Sequence, residues 1–337
     1  MNDKLSQKIA LAQLNPKHLE LIIYPTEKCN FRCVYCYEDF EQGQMSPEVI
    51  DSLNRFIAAR IKTLKVLHLN WFGGEPLLAK SVILKVARLA QLDAQQNNVE
   101  FSGSLTTNGY YLDLETVQQL SDVRHKKYQV SLDGYKNGHD ETRRHVNGKG
   151  TFDRIWSNLK ALSASAIDFN ITLRIHVTNK NLNTLFDLAL AYREEFSQDR
   201  RFGIFLKAIE NLGGEGSKPL SIKSGTERQA ILQELEAAFG LTERKTADGI
   251  PKPKICYASR PNALTIRATG KIQKCTVMLD NDANNVGKLN PDGTVELDPE
   301  KMGHWMRGYE NFDSKALACP ASTSYAKASR IIQIVPN

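Results

Sequence analysis

The chain has 337 residues, of which 41% are hydrophobic and 24% are charged, and this composition is typical of a globular protein with a large buried core. The sequence contains no apolar run of about 18 residues, which excludes a membrane-spanning helix. The net charge of +6 is spread without a basic tract, so an ordinary solvated surface is favoured over a nucleic-acid interface.

The N-terminal segment and the cysteines both indicate a cytoplasmic protein. The opening residues MNDKLSQKIALAQLNPKHLE lack the apolar core of a secretory signal peptide. Six cysteines suffice for three disulfides, but a chain of this length in a reducing compartment does not need them. Clustered thiols in a cytoplasmic protein favour a metal site instead.

Strands and helices alternate along the first two thirds of the chain. The predicted strands are 18–26, 65–73, 99–109, 127–134, 169–177 and 201–208, and the helices between them are 46–61, 80–95, 113–122, 151–164 and 181–196. Ser46 and Pro47 suit the start of the first of these helices. About six consecutive β/α units predict an α/β fold, in which a parallel sheet with outer helices closes fully or partly into a (β/α)6 barrel.

The alternation of strands and helices ends near residue 210, and we therefore divide the chain into four segments. Residues 1–17 are an N-terminal extension, 18–210 the partial barrel, and 211–254 a linker that contains a helix at 226–239. Residues 255–337 hold three of the six cysteines and short strand candidates, which indicates a small C-terminal α+β domain.

The stretch TEKCNFRCVYCYEDF places Cys29, Cys33 and Cys36 within eight residues, directly after the first predicted strand. Thiolates are soft ligands that suit iron–sulfur clusters or zinc. Structural zinc takes four ligands, and no fourth Cys or His lies nearby, so a zinc site here needs a distant ligand. Three thiolates on a four-iron cluster leave one iron open to a small molecule.

This Cys-x3-Cys-x2-Cys motif after the first strand of a β/α series resembles that of the radical S-adenosylmethionine (SAM) enzymes. The resemblance implies a [4Fe–4S] cluster whose open iron binds the amino and carboxylate groups of SAM. It also implies that an electron from the cluster cleaves the sulfonium and produces a 5′-deoxyadenosyl radical. Tyr35, directly before the last cysteine, matches the aromatic residue that the family places against the adenine.

Motifs after the second and third strands also resemble this family. WFGGEP contains Gly73, Gly74 and Glu75, which match the family's stretch that holds the SAM amino group, and glycine lets backbone approach a ligand closely. TTNG adds Thr107 and Asn108 after the next strand. Because the carboxyl ends of parallel strands share one edge, we expect these residues at one cofactor site.

Polar residues follow the fourth strand and lie on the fifth. Ser131 and Asp133 of SLDG resemble the family's ribose contacts. Arg143 and Arg174 are further on, and the resemblance implies that one of them pairs with the SAM carboxylate through a charge-assisted bond. His176, on the fifth strand, faces either the barrel interior or the helices, and a core histidine is the commoner case.

The tail resembles a SPASM or twitch domain, the C-terminal extension that holds auxiliary clusters in radical SAM enzymes that modify peptides. Cys256 and Cys275 match its opening, and Cys319 before Pro320 matches one more position, but the rest of the cysteine-rich run is missing. We therefore expect Cys256, Cys275 and Cys319 to hold at most one auxiliary [4Fe–4S] cluster. The alternative is that these cysteines are buried as small apolar side chains.

Two carboxylates are candidates for a catalytic base. Asp280 comes shortly after Cys275, and Glu210 follows the sixth strand at the rim where barrels carry their chemistry. Anaerobic sulfatase-maturing enzymes resemble this layout, but they have an aspartate where this chain has Thr276. Sulfatase maturation is therefore less favoured.

The layout as a whole most resembles the maturases that form cyclophanes in ribosomally made peptides (RiPPs). The resemblance implies a precursor peptide substrate, hydrogen abstraction from a side chain, a carbon–carbon crosslink, and an electron donor such as flavodoxin or ferredoxin. Thioether-forming, epimerising and sulfatase-maturing chemistry are alternatives within enzymes, and a catalytically silent peptide-binding scaffold is the alternative outside them. Because 17 residues precede the first predicted strand, we expect the leader peptide to bind the body of the protein or another protein.

Overall fold

A computed structural model of the chain describes residues 4–38, 40–209, 225–241 and 253–322. Its strands are β1 (His18–Ile23), β2 (Phe31–Cys33), β3 (Val66–Trp71), β4 (Glu100–Thr107), β5 (His125–Leu132), β6 (Arg143–His145), β7 (Asn170–Val177), β8 (Phe202–Ala208), β9 (Ala263–Ile266), β10 (Lys271–Gln273), β11 (Asn285–Leu289) and β12 (Val295–Leu297). Its α-helices are α1 (Lys4–Ala12), α2 (Pro47–Ile61), α3 (Lys80–Gln96), α4 (Leu114–Asp122), α5 (Asn137–Thr142), α6 (Phe152–Ser163), α7 (Leu182–Glu195), α8 (Thr226–Ala238), α9 (Pro299–Met306) and α10 (Ser314–Ala318).

Ten of these strands form one sheet in the order β12-β11-β10-β9-β1-β3-β4-β5-β7-β8. The six strands from β1 to β8 in this order pair in parallel, and each overlaps one of the six strands predicted from the sequence. Within the described residues β8 has only β7 as a neighbour, so the sheet is open and does not close into a full barrel. The predicted partial barrel is therefore confirmed.

The two faces of the parallel strands differ in polarity, as β3 illustrates. Leu67, Leu69 and Trp71 are fully buried against the helices. His68 and Asn70 alternate with them and are only partly buried, because they lie on the concave face. This concave face is where side chains from neighbouring strands meet.

The helices on the outer face form for local reasons, as α2 shows. The Ser46 side chain accepts a hydrogen bond from the Val49 amide at 3.4 Å, and Pro47 occupies the first turn. Leu53 and Ile57, one turn apart, are buried on the face that meets the sheet. None of the helices in the described part of the chain combines the length and the apolar character needed to cross a membrane.

The tail continues the barrel sheet instead of forming a separate sheet. β9 pairs with β1 in parallel, and Leu264 lies opposite Leu21 in the register. β10, β11 and β12 then follow in antiparallel pairs. The predicted α+β character of the tail is present, but its strands join the barrel sheet at β1 and bring it to ten strands.

A buried ion pair joins the start of the cysteine loop to the tail. The Glu27 carboxylate is completely buried and receives hydrogen bonds from the Arg267 guanidinium, one of them at 2.8 Å from Nε. The Ala268 amide also donates to it, at 3.2 Å. The same guanidinium lies over the Tyr24 ring, 5.1 Å from its centroid. Glu27 is two residues before Cys29, so this pair fixes the loop against the tail.

We expect Arg267→Met to lower the free energy of unfolding by about 3–5 kcal/mol, because it leaves the Glu27 carboxylate buried without its counter-charge. Adding Glu27→Gln should recover most of this loss. Urea denaturation of both variants measures the effect. The exposed pair of Lys288 and Glu296 provides the control, since Lys288→Met should cost less than about 1 kcal/mol. If the losses in the free energy of unfolding caused by Arg267→Met and by Glu27→Gln simply add in the double variant, Glu27 and Arg267 do not stabilise the fold as a pair.

Candidate active site

The cysteine loop surrounds a small cavity at the carboxyl edge of the sheet. Cys29, Cys33 and Cys36 all line this cavity, which has a volume of about 130 Å³. The short strand β2 holds the loop by pairing with β6, so that Cys33 lies opposite Arg143. The Phe31 amide donates to the Cys29 sulfur at 3.3 Å, a contact that favours a thiolate.

The environment of these thiols suits a bound metal cluster. Burial raises the pKa of Cys29 to about 12 and that of Cys33 to about 11, so both are neutral as free thiols near neutral pH. A positively charged iron centre would supply the charge that their ionisation needs. Among the described residues, no three or more His, Cys, Asp or Glu side chains surround a single ion position. A four-iron cluster takes each thiolate on a different iron, so its cysteines need not converge on one point.

The glycine turn after β3 packs directly beneath the cysteine loop. A Cβ added to Gly73 would collide with the Thr26 carbonyl oxygen, and Gly73 has a φ of +111°, which few other residues adopt. A Cβ on Gly74 would collide with the Lys28 carbonyl oxygen. The Glu75 amide donates to that same carbonyl at 2.9 Å. Both glycines also line the small cavity, so the turn supports the loop and forms part of the cavity wall.

Glu75 is completely buried and organises the next turn of the sheet edge. Its carboxylate accepts hydrogen bonds from Thr107 Oγ1 and from the Asn108 amide, both at 2.7 Å. It also accepts from the Leu77 amide at 3.0 Å. Burial raises the pKa of Glu75, and these hydrogen bonds oppose the rise. Glu75 therefore holds Thr107 and Asn108 at the small cavity, which they line, while Glu75 itself lies behind them.

Asp133, just after β5, is the centre of a buried hydrogen-bond network. Its two oxygens accept from Tyr35 Oη at 2.8 and 2.7 Å, and Oδ2 accepts from Thr142 Oγ1 at 2.6 Å. Nδ1 of His176 donates to Oδ1 at 3.0 Å. Arg143 Nη1 donates to Tyr35 Oη at 2.8 Å. These contacts tie the cysteine loop to three elements of the barrel.

The charge of Asp133 is stabilised inside this network. Burial on its own raises the pKa of the carboxyl, but the hydrogen bond from His176 and the charge of Arg143 outweigh it. The pKa of Asp133 therefore lies well below its ordinary range, and the residue is charged. Asp133 is completely buried and lines neither cavity. It lies behind Tyr35 and His176, which do line the cavities, and fixes their positions.

A larger cavity of about 400 Å³ lies on the concave face of the sheet, next to the cysteine loop. Tyr35 and Ser131 line both cavities, which places the two spaces side by side. Arg143 lines only the small cavity, and Arg174 lines only the larger one. From the sequence, either arginine could pair with the SAM carboxylate. In the structure, the two line different cavities.

His176 is a lining residue of the larger cavity, although a core histidine was the commoner case. Burial lowers its pKa, and Asp133 opposes this, so the ring is neutral near neutral pH. Because Nδ1 donates to Asp133, Nε2 is left as the hydrogen-bond acceptor. The sequence carried a signal for this position, since Arg174 and His176 are two residues apart and share one face of β7.

Residues 23–189 match the family profile of the radical SAM superfamily. This range contains the three loop cysteines, the glycine turn and the Asp133 network. The chain is a radical SAM enzyme.

Curated relatives of this radical SAM chain have different activities. A GTP 3′,8-cyclase from Campylobacter fetus is 26% identical over 223 residues, which cover 65% of this chain and 62% of the relative. A cysteine-type anaerobic sulfatase-maturating enzyme from Clostridium novyi is 26% identical over 203 residues, which cover 58% of this chain and 52% of the relative. The chain thus spans about half to three fifths of the length of these two relatives.

Solved structures share the fold. The native enzyme anSMEcpe with bound AdoMet and a peptide has a TM-score of 0.61 at 21% identity, and the match covers 85% of this chain and 80% of that one. Streptococcus suis SuiB bound to its precursor peptide SuiA has a TM-score of 0.53 at 15% identity, with 82% and 63% covered. These likenesses establish the architecture of the radical SAM fold.

The residues present fit the two cofactors of a radical SAM enzyme. When bound, the [4Fe–4S] cluster and SAM supply a carbon radical that abstracts a hydrogen atom from the substrate. Cys29, Cys33 and Cys36 are the thiols available to the cluster. Gly73, Gly74, Thr107, Asn108, Ser131 and Arg143 line the space beside them and are therefore the candidates to contact SAM.

The tail cysteines lie close together in the radical SAM fold. Burial raises the pKa of Cys256 and of Cys275, and the neighbouring thiols of this group, Cys319 included, raise it further. The Cys256 amide donates to the Leu317 carbonyl at 2.8 Å, which brings the two ends of the tail together. Cys319 is exposed. Cys275 lies near the larger cavity, because Thr276, directly after it, lines that cavity.

Of the two carboxylates expected as catalytic bases, Asp280 lies within the described residues and Glu210 does not. Asp280 is exposed on a turn and does not line the larger cavity. Glu210 lies outside the described residues, and Ile209 before it lines the cavity. Asp280 and Glu210 therefore stay predictions from the sequence, while His176 is the described residue in the cavity that can accept a proton.

We expect Asp133→Asn to lower the free energy of unfolding at pH 7 by about 3–5 kcal/mol, because Arg143 loses its buried counter-charge. The pKa of Asp133 is depressed in the fold, so its stabilising effect is complete above about pH 4 and declines as the pH falls below that value. Urea denaturation should therefore show the deficit of the variant narrowing toward about pH 3.

Asp168→Asn is the matched control for Asp133→Asn. Asp168 pairs with Lys126 at 2.6 Å on the exposed surface, and its loss should cost less than about 1 kcal/mol. Equal stability of the two variants at pH 7 would show that Asp133 does not stabilise the network.

Proposed function

We propose that this radical SAM enzyme is a peptide maturase that abstracts a hydrogen atom from a side chain of a ribosomally made precursor peptide and forms a carbon–carbon crosslink of the cyclophane type. The observation that carries the proposal is that the tail forms part of the wall of the larger cavity. Tyr257, Thr276 and Val277 of the tail line it together with Arg174 and His176 of the sheet. A partly open cavity beside the cysteine loop suits an extended substrate such as a peptide.

The fold of this chain is compatible with such a substrate. Two structures that share it, anSMEcpe and SuiB, were solved with peptides bound. The cavity of about 400 Å³ is within the range of ordinary small-molecule sites. The open sheet leaves room for the substrate peptide on both sides of its reacting residue.

Two features of the larger cavity weigh against epimerisation and sulfatase maturation. Epimerisation needs a hydrogen-atom donor such as a thiol, and no cysteine is among the described residues that line the larger cavity. Thr276 occupies the position where the sulfatase-maturing layout has an aspartate, and it bonds to the Tyr257 hydroxyl at 2.8 Å. That position therefore offers no carboxylate base.

His176 is the proposed proton acceptor in the crosslinking step. A carbon radical on one side chain that bonds to an aromatic ring must lose one electron and one proton to restore the ring. Nε2 of His176 accepts the proton, because Asp133 holds the opposite ring nitrogen as the donor and stabilises the imidazolium that results. Cys256, Cys275 and Cys319 would hold one auxiliary [4Fe–4S] cluster, which we propose and which would supply the acceptor for the electron.

An auxiliary cluster on Cys256, Cys275 and Cys319 can be counted by iron analysis. After anaerobic reconstitution the wild type should carry about eight irons, and the Cys256/Cys275/Cys319 triple Ala variant about four. The Cys29/Cys33/Cys36 triple Ala variant is the matched control and should also carry about four. About four irons in the folded wild type would exclude the auxiliary cluster.

Co-expression with short peptides encoded beside the gene tests the maturase function. A carbon–carbon crosslink removes two hydrogen atoms from the peptide, and mass spectrometry should show this loss without the capture of a cysteine thiol. A loss that requires a substrate cysteine indicates a thioether, and an unchanged mass with a deuterium atom gained in D2O indicates epimerisation. The Cys33→Ala variant should leave the peptide unmodified.

GTP is the comparison substrate, because a GTP 3′,8-cyclase is among the relatives. Formation of 5′-deoxyadenosine that increases with a peptide and not with GTP supports the proposal. Consumption of GTP, with every peptide left unchanged, would contradict it.

A further inference from the structure

The charges around the larger cavity are mainly basic. Arg174 and Lys207 line it together with His176, whereas no Asp or Glu is among its described lining residues. A cavity lined by basic side chains favours a substrate with an anionic group.

Arg174 is partly buried and, unlike Arg143 and Arg267, makes no hydrogen bond to another described side chain. Its Nε is buried without a hydrogen bond, and within the described part of the chain its guanidinium forms no ion pair. Arg267 by contrast holds Glu27, and Arg143 holds Tyr35 Oη. Burial lowers the pKa of Arg174, yet arginine stays charged in proteins. The charge of Asp133 opposes this lowering, but a partly buried charge without a direct ion-pair partner still costs free energy, which a bound anion would recover.

The position of Arg174 differs from that of Arg143. It lies opposite Ser131 of β5 in the sheet register, two residues before His176 on β7. Two strand residues span about 7 Å, so Arg174 is deeper in the concave face than His176, which contacts the Asp133 network. It does not line the small cavity with the cysteines, where Arg143 lies. Arg143 is therefore the arginine placed for the SAM carboxylate, and Arg174 faces the space for the substrate.

We propose that Arg174 binds a carboxylate of the substrate, so that the peptide carries an Asp or Glu beside the residue that is attacked. This inference rests on the proposed peptide-maturase function and names its substrate class. A guanidinium binds a carboxylate through two parallel charge-assisted hydrogen bonds, which fix the orientation of the peptide as well as its charge. Arg174 is thus a specificity residue for the substrate.

Binding of small probes to the reconstituted enzyme with SAM tests this proposal by calorimetry. The probes are N-acetylaspartate N-methylamide, its neutral asparagine isostere, and N-acetylglycine, which offers a terminal carboxylate. The wild type should bind the aspartate probe about tenfold or more tightly than the asparagine probe. Arg174→Gln should bind both alike, and Arg174→Lys should retain part of the difference. Lys127→Gln is the control, because Lys127 is an exposed cation on β5, the strand that pairs with β7, and does not line the cavity.

Three results would overturn the proposal. They are equal binding of the two probes by the wild type, a preference that persists in Arg174→Gln, and a stronger preference for N-acetylglycine than for the aspartate probe. The first and third need no variant, so a misfolded variant does not affect them. Loss of SAM affinity in Arg174→Gln with the preference intact would assign Arg174 to the cofactor instead.

The outcome is separable from that of the maturase function. If peptides are crosslinked without any acidic preference, only the assignment of Arg174 fails. If no peptide is modified while the aspartate preference depends on Arg174, the carboxylate site stands and the substrate is a different acid.

Discussion

The carboxylate of Asp133 is buried completely after β5, and the elements around it are held by the hydrogen bonds that it accepts. Tyr35 brings the cysteine loop to it, Thr142 brings α5, and His176 brings the end of β7. Without its charge, the Arg143 guanidinium would be buried without compensation, and the loop would lose its anchor to the sheet. The same contact sets the tautomer of His176, so one buried charge controls both the position of the cysteines and the proton chemistry of the adjacent cavity.

The tail completes the site through the sheet. Because β9 pairs with β1, the tail lies directly beside the strand that leads into the cysteine loop, and the ion pair of Glu27 with Arg267 joins the two. Thr276 and Tyr257 thereby reach the larger cavity. Tyr35 of the cysteine loop lines the same cavity, so the tail and the loop meet at one space.

The sequence predicted the parts of the site that depend on short segments. The strands of the barrel follow from their apolar pattern, and Gly73 and Thr107 follow from turns at strand ends. The pairing of β9 with β1 was not predictable, because its partners are about 240 residues apart and each strand is short. Likewise, no local pattern separates Arg143 from Arg174. Only the register of β6 with β2 and of β7 with β5 places one beside Cys33 and the other in the larger cavity.

Cleavage of SAM by the anaerobically reconstituted protein tests most directly whether Cys29, Cys33 and Cys36 hold the catalytic cluster. The wild type with a strong reductant should convert SAM to 5′-deoxyadenosine, and Ala at any one of the three cysteines should abolish the product, because each thiolate holds a different iron. Electron paramagnetic resonance of the reduced wild type should also change when SAM is added. Formation of 5′-deoxyadenosine at the wild-type rate by the triple Ala variant would contradict this account.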